Sequence, residues 1–296
     1  MADLRAYVAN YLGGGEEISK YEDTWVRDSL FLVCDSFKFQ FIQSKEVVTG
    51  SLTDFKGSFV ASSEVLVRNV KQRDVDKVLK IIERICWLLS FASLSRVMCY
   101  GYEYPDCSGL GKRVSVVGEA HFFRPSIDIR DGEKTIEYIE KCYSQYKLLE
   151  KSRKLSVVID YLVQAERAAQ PTELKLIIAF VVLENLKDTY ARSANIPYKR
   201  GYFRKIPKPQ KGDDRYSFEE LLQLMLRQVK MKKGLKRIKN LRNEIIHSGV
   251  TRKSHSWQWK KYEMLHDLLR EYILRLMGYS GDYLTYSSAA REAKTL

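Results

Sequence analysis

The sequence predicts an α+β protein in which a mixed strand and helix domain is followed by an all-α bundle. A chain of 296 residues is long enough for about two domains. The first half alternates apolar and polar residues with the period of a strand, and the second half changes to helical periodicity near residue 132. We therefore expect an α+β domain over residues 1–140 and a helical bundle over residues 141–296.

Strand signals predominate in residues 26–70. β-Branched and aromatic residues alternate with polar ones there, and Gly and Ser separate the runs FLVCDSFKFQFIQ, EVVTGSL and GSFVASSEVLVRNV. This pattern predicts a meander of strands. In residues 73–97 the apolar residues recur every three or four positions, which predicts a helix. The chain then becomes strand-like again in RVMCYGYEY and KRVSVVGEAHFF.

Beyond Gly132 the periodicity is helical and no strand signal remains. The segment from Pro197 to Asp214 holds three of the six prolines, so we expect a surface loop there. Residues 279–296 begin with turn-forming residues, which predicts a frayed or docked tail. The expected helices lie at about 133–150, 153–168, 172–192, 217–230, 235–247 and 258–277.

The composition narrows the class of function. No apolar stretch reaches the ~20 residues that cross a bilayer, and no secretory signal is visible, so we expect a cytoplasmic protein without membrane contact. The five cysteines include no C-x-x-C pair, which favours free thiols in a reducing compartment. Because H-E-x-x-H and carboxylate-triad patterns are also missing, we expect neither a metal nor another cofactor.

The positive charge is concentrated in one region. Residues 198–261 hold 19 Lys and Arg against five Asp and Glu, a net charge of +14, while the rest of the chain has 31 basic and 32 acidic residues. Such a cluster favours a phosphate-bearing partner such as nucleic acid over an ordinary solvated surface. A DNA-binding surface is a weaker alternative, since no helix-turn-helix pattern accompanies it. The expected RNA-binding residues are Lys232, Lys233, Lys236, Arg237, Lys239, Arg252, Lys253 and Trp257.

Within this region, one predicted helix carries candidate chemistry. Arg242 lies on the edge of the apolar stripe of the helix, and Asn243 and His247, four residues apart, share one side. Arg242 and His247 are roughly 140° apart on an ideal helix, so they converge only if the helix ends at Ser248-Gly249. The stripe itself is formed by Leu235, Ile238, Leu241 and Ile245.

These residues resemble a known family. An arginine followed by a polar residue and, four to six positions after the arginine, by a histidine is the signature of HEPN domains, and Arg242–His247 reads R-N-E-I-I-H. The resemblance covers about residues 150–280, where KLSVVIDYLVQAERA and ELKLIIAFVVLENLKDTYA look like the first long helices and YEMLHDLLREYILRLM like the closing one. In the N-terminal half, ERICWLLSFASLSRVM resembles the domain that precedes HEPN in ApeA-like proteins.

The resemblance implies a homodimer that cuts RNA without a metal, with both motifs in one composite site. A histidine with a pKa near ~6.5 suits proton transfer to and from ribose oxygens, which makes His247 the general acid or base. The planar fork of Arg242 can stabilise charge on the phosphoryl oxygens. Asn243 would orient His247 or the phosphate. The implied setting is antiphage defence or toxin-like growth arrest, with the N-terminal domain as a regulator that senses an activator or a phage-derived ligand.

Two further residues and one alternative complete the expectations. Asn185 falls on what looks like the apolar face of its helix beside Glu184, so either residue could support the Arg242 site from outside. Arg242 could instead pair with Glu184 for structural reasons. The chain would then be a non-catalytic HEPN module that binds nucleic acid or a partner protein. His255 and His266 lack partners at metal-ligand spacing and are expected at the surface.

Overall fold

A computed structural model of the chain shows two compact units, which are Met1–Lys147 with Met277–Leu296 and Leu148–Leu276. Both strands and helices are present, which confirms the α+β class. At residues 21, 24, 52, 107, 108, 236, 237 and 246–248 the backbone alone is described. The described residues are 1–21, 24–105, 107–108, 119–120, 124–205, 214–231, 236–248, 253–288 and 291–296.

The first unit is built on a seven-stranded antiparallel sheet with the order β2-β3-β4-β5-β1-β6-β7. The meander predicted in residues 26–70 corresponds to β3, β4 and β5, which are successive neighbours. The strand predicted in RVMCYGYEY is β6, whereas most of KRVSVVGEAHFF lies outside the described residues. The strands are β1 (Ala2–Ala9), β2 (Glu17–Tyr21), β3 (Thr24–Cys34), β4 (Phe37–Gln43), β5 (Ala61–Val70), β6 (Met98–Tyr104) and β7 (Cys107–Ser108).

Two features of this sheet differ from the sequence prediction. The predicted meander begins at residue 26 and therefore misses β2 as well as β1, which lies inside the sheet between β5 and β6. The signal for β1 is the alternation of Leu4, Ala6 and Val8, all of which are buried. The run EVVTGSL is not a strand but contains a short helix, α1 (Lys45–Thr49), which ends where the Gly50 N–H donates to a carbonyl of that helix at 2.9 Å.

Two long helices contribute to the core of the first unit. The helix predicted over 73–97 is confirmed as α2 (Val75–Ser93). A second helix, α3 (Gly132–Leu149), is tied to it because the buried Tyr138 hydroxyl donates to the Leu88 carbonyl at 3.3 Å. Cys34, Cys86 and Cys142 are buried in this unit as free thiols, as expected for cysteines in apolar segments.

The second unit is helical, and its helices begin and end within three residues of the predicted positions. The prediction was accurate because each helix buries an apolar stripe at three-to-four spacing. α5 is central, since it packs against α4, α6, α7 and α8. Among the described residues, no helix combines the length and the apolar character needed to cross a bilayer. The helices are α4 (Leu155–Glu166), α5 (Thr172–Ser193), α6 (Phe218–Gln228), α7 (Lys236–Ser248) and α8 (His255–Leu276).

A buried arginine connects four parts of this bundle. The Arg153 side chain is 1% exposed. Its guanidinium donates to the Thr189 hydroxyl at 3.3 Å, the Leu186 carbonyl at 3.0 Å, the Gln228 amide oxygen at 3.4 Å and the Tyr272 hydroxyl at 2.7 Å. Because a buried polar group without a partner is costly, these bonds fix the positions of α5, α6 and α8 around it.

A second polar cluster shows that the prediction for His266 was wrong. His266 is fully buried, not at the surface, and its Nε2 lies 3.3 Å from Glu166 Oε1. The same oxygen accepts from the Tyr262 hydroxyl at 2.6 Å, and Arg270 Nη1 donates to Asp267 at 2.8 Å. His255, by contrast, is exposed as expected, and its Nε2 lies 2.9 Å from the Thr172 hydroxyl. Tyr262, His266 and Arg270 are four residues apart, so they form a polar stripe on α8 that is buried because Glu166 lies opposite.

The prediction that no strands follow Gly132 was also wrong. The described part of the Pro197–Asp214 loop contains a hairpin of β8 (Tyr198–Lys199) and β9 (Tyr202–Phe203), and residues 206–213 lie outside the described residues. The last residues form β10 (Asp282–Thr285) and β11 (Glu292–Thr295), which pair with each other.

The C-terminal tail is docked and belongs to the first unit. The Leu284 N–H donates to the Ser126 carbonyl at 2.9 Å, and the Tyr279 ring meets the Tyr138 ring edge to face at 5.5 Å. The predicted division into residues 1–140 and 141–296 therefore differs from the structure in two respects. The first unit continues along α3 to Lys147. Residues 277–296, which were predicted to be part of the bundle, also belong to the first unit.

Candidate active site

The candidate site begins on α7. Ile238, Leu241 and Ile245 are buried along one side of this helix, and Arg242 is half-buried beside them, as the stripe predicts. Leu235 lies outside the described residues. The helix continues to Ser248, so Arg242 and His247 occupy helical positions roughly 140° apart around its axis.

The side chain of Arg242 is held by a carboxylate from α5. Arg242 Nε donates to Glu184 Oε1 at 3.1 Å, and Arg242 Nη2 lies 2.9 Å from the same oxygen. The Arg242 and Glu184 side chains are 25% and 31% exposed, so the ion pair is neither fully buried nor freely solvated. A pair with this geometry fixes the direction of the guanidinium.

Two residues that the sequence did not indicate complete the surroundings of Arg242. Its guanidinium carbon lies 5.1 Å from the centre of the Phe218 ring at the start of α6. Lys187 Nζ lies 4.9 Å from the same ring and donates to Glu184 Oε2. The signal for Lys187 was its position three residues after Glu184, a spacing at which helix side chains meet. Phe218 had no signal beyond its place next to the Ser217 N-cap.

The charges of this group favour an anion. Two cations, Arg242 and Lys187, share one carboxylate, Glu184, so the group keeps a net charge of +1. A guanidinium has five N–H groups. The contacts of Arg242 with Glu184 and Asn243 account for three of them, and a quarter of the side chain is exposed. The remaining donors can bind a phosphate oxygen without breaking the ion pair.

Asn243 and Asn185 occupy different surroundings. Asn243 is exposed, and its Oδ1 accepts from Arg242 Nη1 at 3.2 Å, whereas the side chain of its predicted partner His247 lies outside the described residues. Asn185 does not lie on the most buried face of α5, because Val181, one turn earlier, is 40% exposed. The Asn185 Oδ1 atom is buried without a hydrogen bond, and no contact among the described residues joins it to Arg242. Of the two residues predicted to support Arg242, Glu184 is the one that contacts it among the described residues.

Three of the predicted RNA-binding residues have described side chains, on α7 and at the start of α8. Lys239 is exposed on α7, with Nζ 3.7 Å from Glu219. Trp257 is half-buried on α8, with Lys261 Nζ 5.4 Å from the centre of its ring, and Lys253 is exposed just before that helix. For His247, Lys236 and Arg237 the structure describes the backbone but not the side chain. Lys232, Lys233 and Arg252 lie outside the described residues.

The part of the chain that the structure describes contains no group of three or more His, Cys, Asp or Glu side chains arranged to hold a metal ion. Models of protein families, curated proteins and solved structures contain no match to this chain. The HEPN resemblance accordingly rests on the Arg242–His247 motif and on the helices around it, and it stays a prediction.

Proposed function

We propose that the chain is a metal-independent endoribonuclease of the HEPN type, which acts as a homodimer in the cytoplasm. The observation that carries the proposal is the partly exposed Arg242, held by Glu184 beside Lys187 in a group of net positive charge. An arginine fixed in this way is preorganised for a phosphate, and preorganised charge is the largest catalytic contribution in many enzymes.

In the proposed reaction, the ribose 2′-hydroxyl attacks the adjacent phosphorus. His247 takes the proton from that hydroxyl or donates one to the departing 5′-oxygen. Arg242 stabilises the charge that develops on the phosphoryl oxygens, and Asn243 orients Arg242 through the bond between them. The products are a 2′,3′-cyclic phosphate and a 5′-hydroxyl. The two chains of the dimer supply one motif each to the composite site.

Such an activity requires restraint in a resting cell. We assign this restraint to the first unit, which would respond to an activator or a phage-derived ligand. Antiphage defence or toxin-like growth arrest is the corresponding biological role.

The second candidate function is a non-catalytic module that binds nucleic acid or a partner protein. The ion pair between Arg242 and Glu184 favours it, because a bond between α5 and α7 is by itself a structural reason for an arginine at this position. In that case His247 has no chemical role.

The two candidates are separated by RNA cleavage in EDTA. We expect wild type to cut a mixed RNA pool, and Arg242→Ala and His247→Ala to lose cutting while they still fold and bind RNA. Arg73→Ala, which removes an exposed arginine of the first unit, is the control and should cut as wild type does. Silence of wild type even with lysate of phage-infected cells as a source of activator favours the binding module. Cutting that survives in His247→Ala would show that the site lies elsewhere.

A further inference from the structure

The β8–β9 hairpin presents aromatic and basic side chains to solvent. Its turn is formed by Arg200 and Gly201, both at positive φ, so it reverses tightly and exposes its tip. Lys199 pairs with Tyr202 across the hairpin, and side chains at paired positions share one face. Tyr202 is 47% exposed on this face.

An arginine enlarges the aromatic surface of Tyr202. The Arg215 guanidinium carbon lies 4.1 Å from the centre of the Tyr202 ring, which is a stacking distance. Arg215 is exposed and bridges to Arg204, two residues after Tyr202, so it lies on the Tyr202 face of the hairpin. We call Lys199, Arg200, Tyr202 and Arg215 the hairpin platform.

The charges on the two sides of the hairpin differ in the part of the chain that the structure describes. Lys199, Arg200 and Arg215 form no ion pair with a carboxylate among the described residues. The opposite side of the hairpin differs. There Arg192 lies 5.0 Å from the Tyr198 ring, but its Nε donates to Asp188 at 2.7 Å, so its charge is compensated. Positive charge is therefore available to an anion on the Tyr202 side.

The hairpin platform is held in place from below. Arg204 and Asp214 form a buried ion pair at 2.7 Å, and the Tyr216 N–H donates to the Phe203 carbonyl at 3.0 Å. Phe203 is buried in a cluster with Ala191 of α5 and Leu221 of α6. Because its base is fixed, the hairpin does not lose much conformational freedom when it binds a ligand.

This anchoring places the hairpin close to the candidate site. Lys187 precedes Ala191 by four residues and Phe218 precedes Leu221 by three, which corresponds to roughly 6 Å and 4.5 Å along α5 and α6. The cluster that holds the hairpin thus lies about one helical turn from the residues that surround Arg242.

We propose that the hairpin platform binds single-stranded RNA, with an unpaired base stacked on Tyr202 and the phosphates held by Lys199, Arg200 and Arg215. An exposed aromatic ring flanked by three cations suits a strand whose bases are free to stack. The proposal rests on the proposed function for its substrate class, and it adds a binding site beyond the Arg242 site.

The test measures binding apart from cleavage. All variants carry His247→Ala, so that the RNA stays intact, and binding of a fluorescently labelled 12-nucleotide single-stranded RNA is followed by anisotropy in EDTA. Tyr202→Leu should weaken binding about tenfold, as expected for the loss of one stacked base. Tyr202→Phe should stay within about twofold, because it keeps the ring. Tyr198→Leu, a matched change on the opposite side of the hairpin, should also stay within about twofold.

Two more measurements sharpen the test. An RNA duplex of the same sequence should bind Tyr202→Leu and its parent equally, since paired bases are not free to stack. Arg215→Gln should lower the slope of log Kd against log salt by about one, as expected for one lost phosphate contact.

Several outcomes would overturn the proposal. These are equal single-strand binding by Tyr202→Leu and its parent, equal losses in Tyr202→Leu and Tyr198→Leu, or no binding of single-stranded RNA at low salt. The outcome for the proposed function is separate. If wild type cuts RNA but Tyr202 is irrelevant to binding, the hairpin platform is wrong and the nuclease stands. If binding depends on Tyr202 but no cleavage is found, the hairpin platform stands and the nuclease fails.

Discussion

The ion pair between Glu184 and Arg242 can be measured by a double-mutant cycle. The three variants are Glu184→Gln, Arg242→Gln and both together. The cycle isolates the pair, since losses that each change causes on its own, such as the contact of Arg242 with Phe218, cancel.

The structure sets the expected size of the coupling. Exposed ion pairs contribute about 0.2–1 kcal/mol, and a hydrogen bond to a charged group contributes about 1.5–3 kcal/mol. Two Arg242 nitrogens reach one Glu184 oxygen at 3.1 and 2.9 Å, and both side chains are less than one third exposed. We therefore expect a coupling of about 1–2 kcal/mol, between the two ranges.

Hydrogen exchange of the α7 amide groups is the appropriate assay, since it reports local opening and does not require the two units to unfold together. With a coupling of this size, the α7 amides of the double variant exchange about five- to thirtyfold more slowly than the sum of the two single losses predicts. The matched control is Asp188 with Arg192, an ion pair on α5 at 2.7 Å whose side chains are 39% and 57% exposed. Its coupling should stay below about 0.5 kcal/mol. Equal couplings in the two cycles would refute the argument that Glu184 fixes Arg242.

Three further predictions concern the fold. Arg153→Met should destabilise the second unit by about 2–4 kcal/mol, measured by exchange of the α8 amides, because three buried acceptors lose their donor. The exposed Lys154→Met should change stability by less than about 0.5 kcal/mol, and a similar loss in both variants would contradict the buried network. Burial, with nearby acidic groups, raises the pKa of Cys34 to about 12. Alkylation of Cys34 should therefore stay negligible up to pH 9 in the native protein and become fast in urea. Fast alkylation of the native protein would refute the burial of Cys34. The Lys205 ammonium, with the Ser217 cap, lowers the pKa of Glu220 to about 2, below the ~4.3 of an unfolded chain. The resulting stability is present above pH ~4.3 and is lost as the pH falls towards 2. Over that range the α6 amides of Glu220→Gln should therefore lose less protection from hydrogen exchange than those of wild type. Identical pH profiles of the two proteins would contradict this assignment.

Much of the helical bundle could be predicted because its stability depends on a local pattern. Each helix of the second unit repeats apolar residues with the period that its neighbours bury, so its ends were predicted to within three residues. The prediction that His266 lies at the surface was wrong because it, too, used only the local sequence. The surface was expected because His266 lacks partners at metal-ligand spacing, whereas its burial depends on Glu166, a hundred residues earlier in the chain.

The first unit was harder to predict, since β1 depends on partners distant in sequence. β1 pairs with β5 and β6, which follow it by more than fifty residues in the chain. The docked tail has the same origin, because its bond to Ser126 joins residues far apart in the chain.

Of the candidate site, the sequence indicated the residue types and only one of their contacts. Arg242 on the edge of its stripe followed from helical spacing, and Glu184 was proposed both as a supporting residue and as a structural partner. The pairing of Arg242 with Glu184 was anticipated as the structural alternative and is present, whereas the contact with Phe218 could not be derived, since α5, α6 and α7 meet only in the folded bundle. The hairpin platform was not predicted, because the prolines of the Pro197–Asp214 segment indicated a loop.

The chemical ends of the RNA fragments test the central claim most directly. Wild type should convert a defined RNA in EDTA to fragments with 2′,3′-cyclic phosphate and 5′-hydroxyl ends, and a 2′-deoxy substitution at the cleaved nucleotide should abolish cutting there. The His247→Ala variant should yield no such fragments. Products with 5′-phosphate ends, or cutting that survives the 2′-deoxy substitution, would contradict attack by the 2′-hydroxyl and the roles assigned to Arg242 and His247.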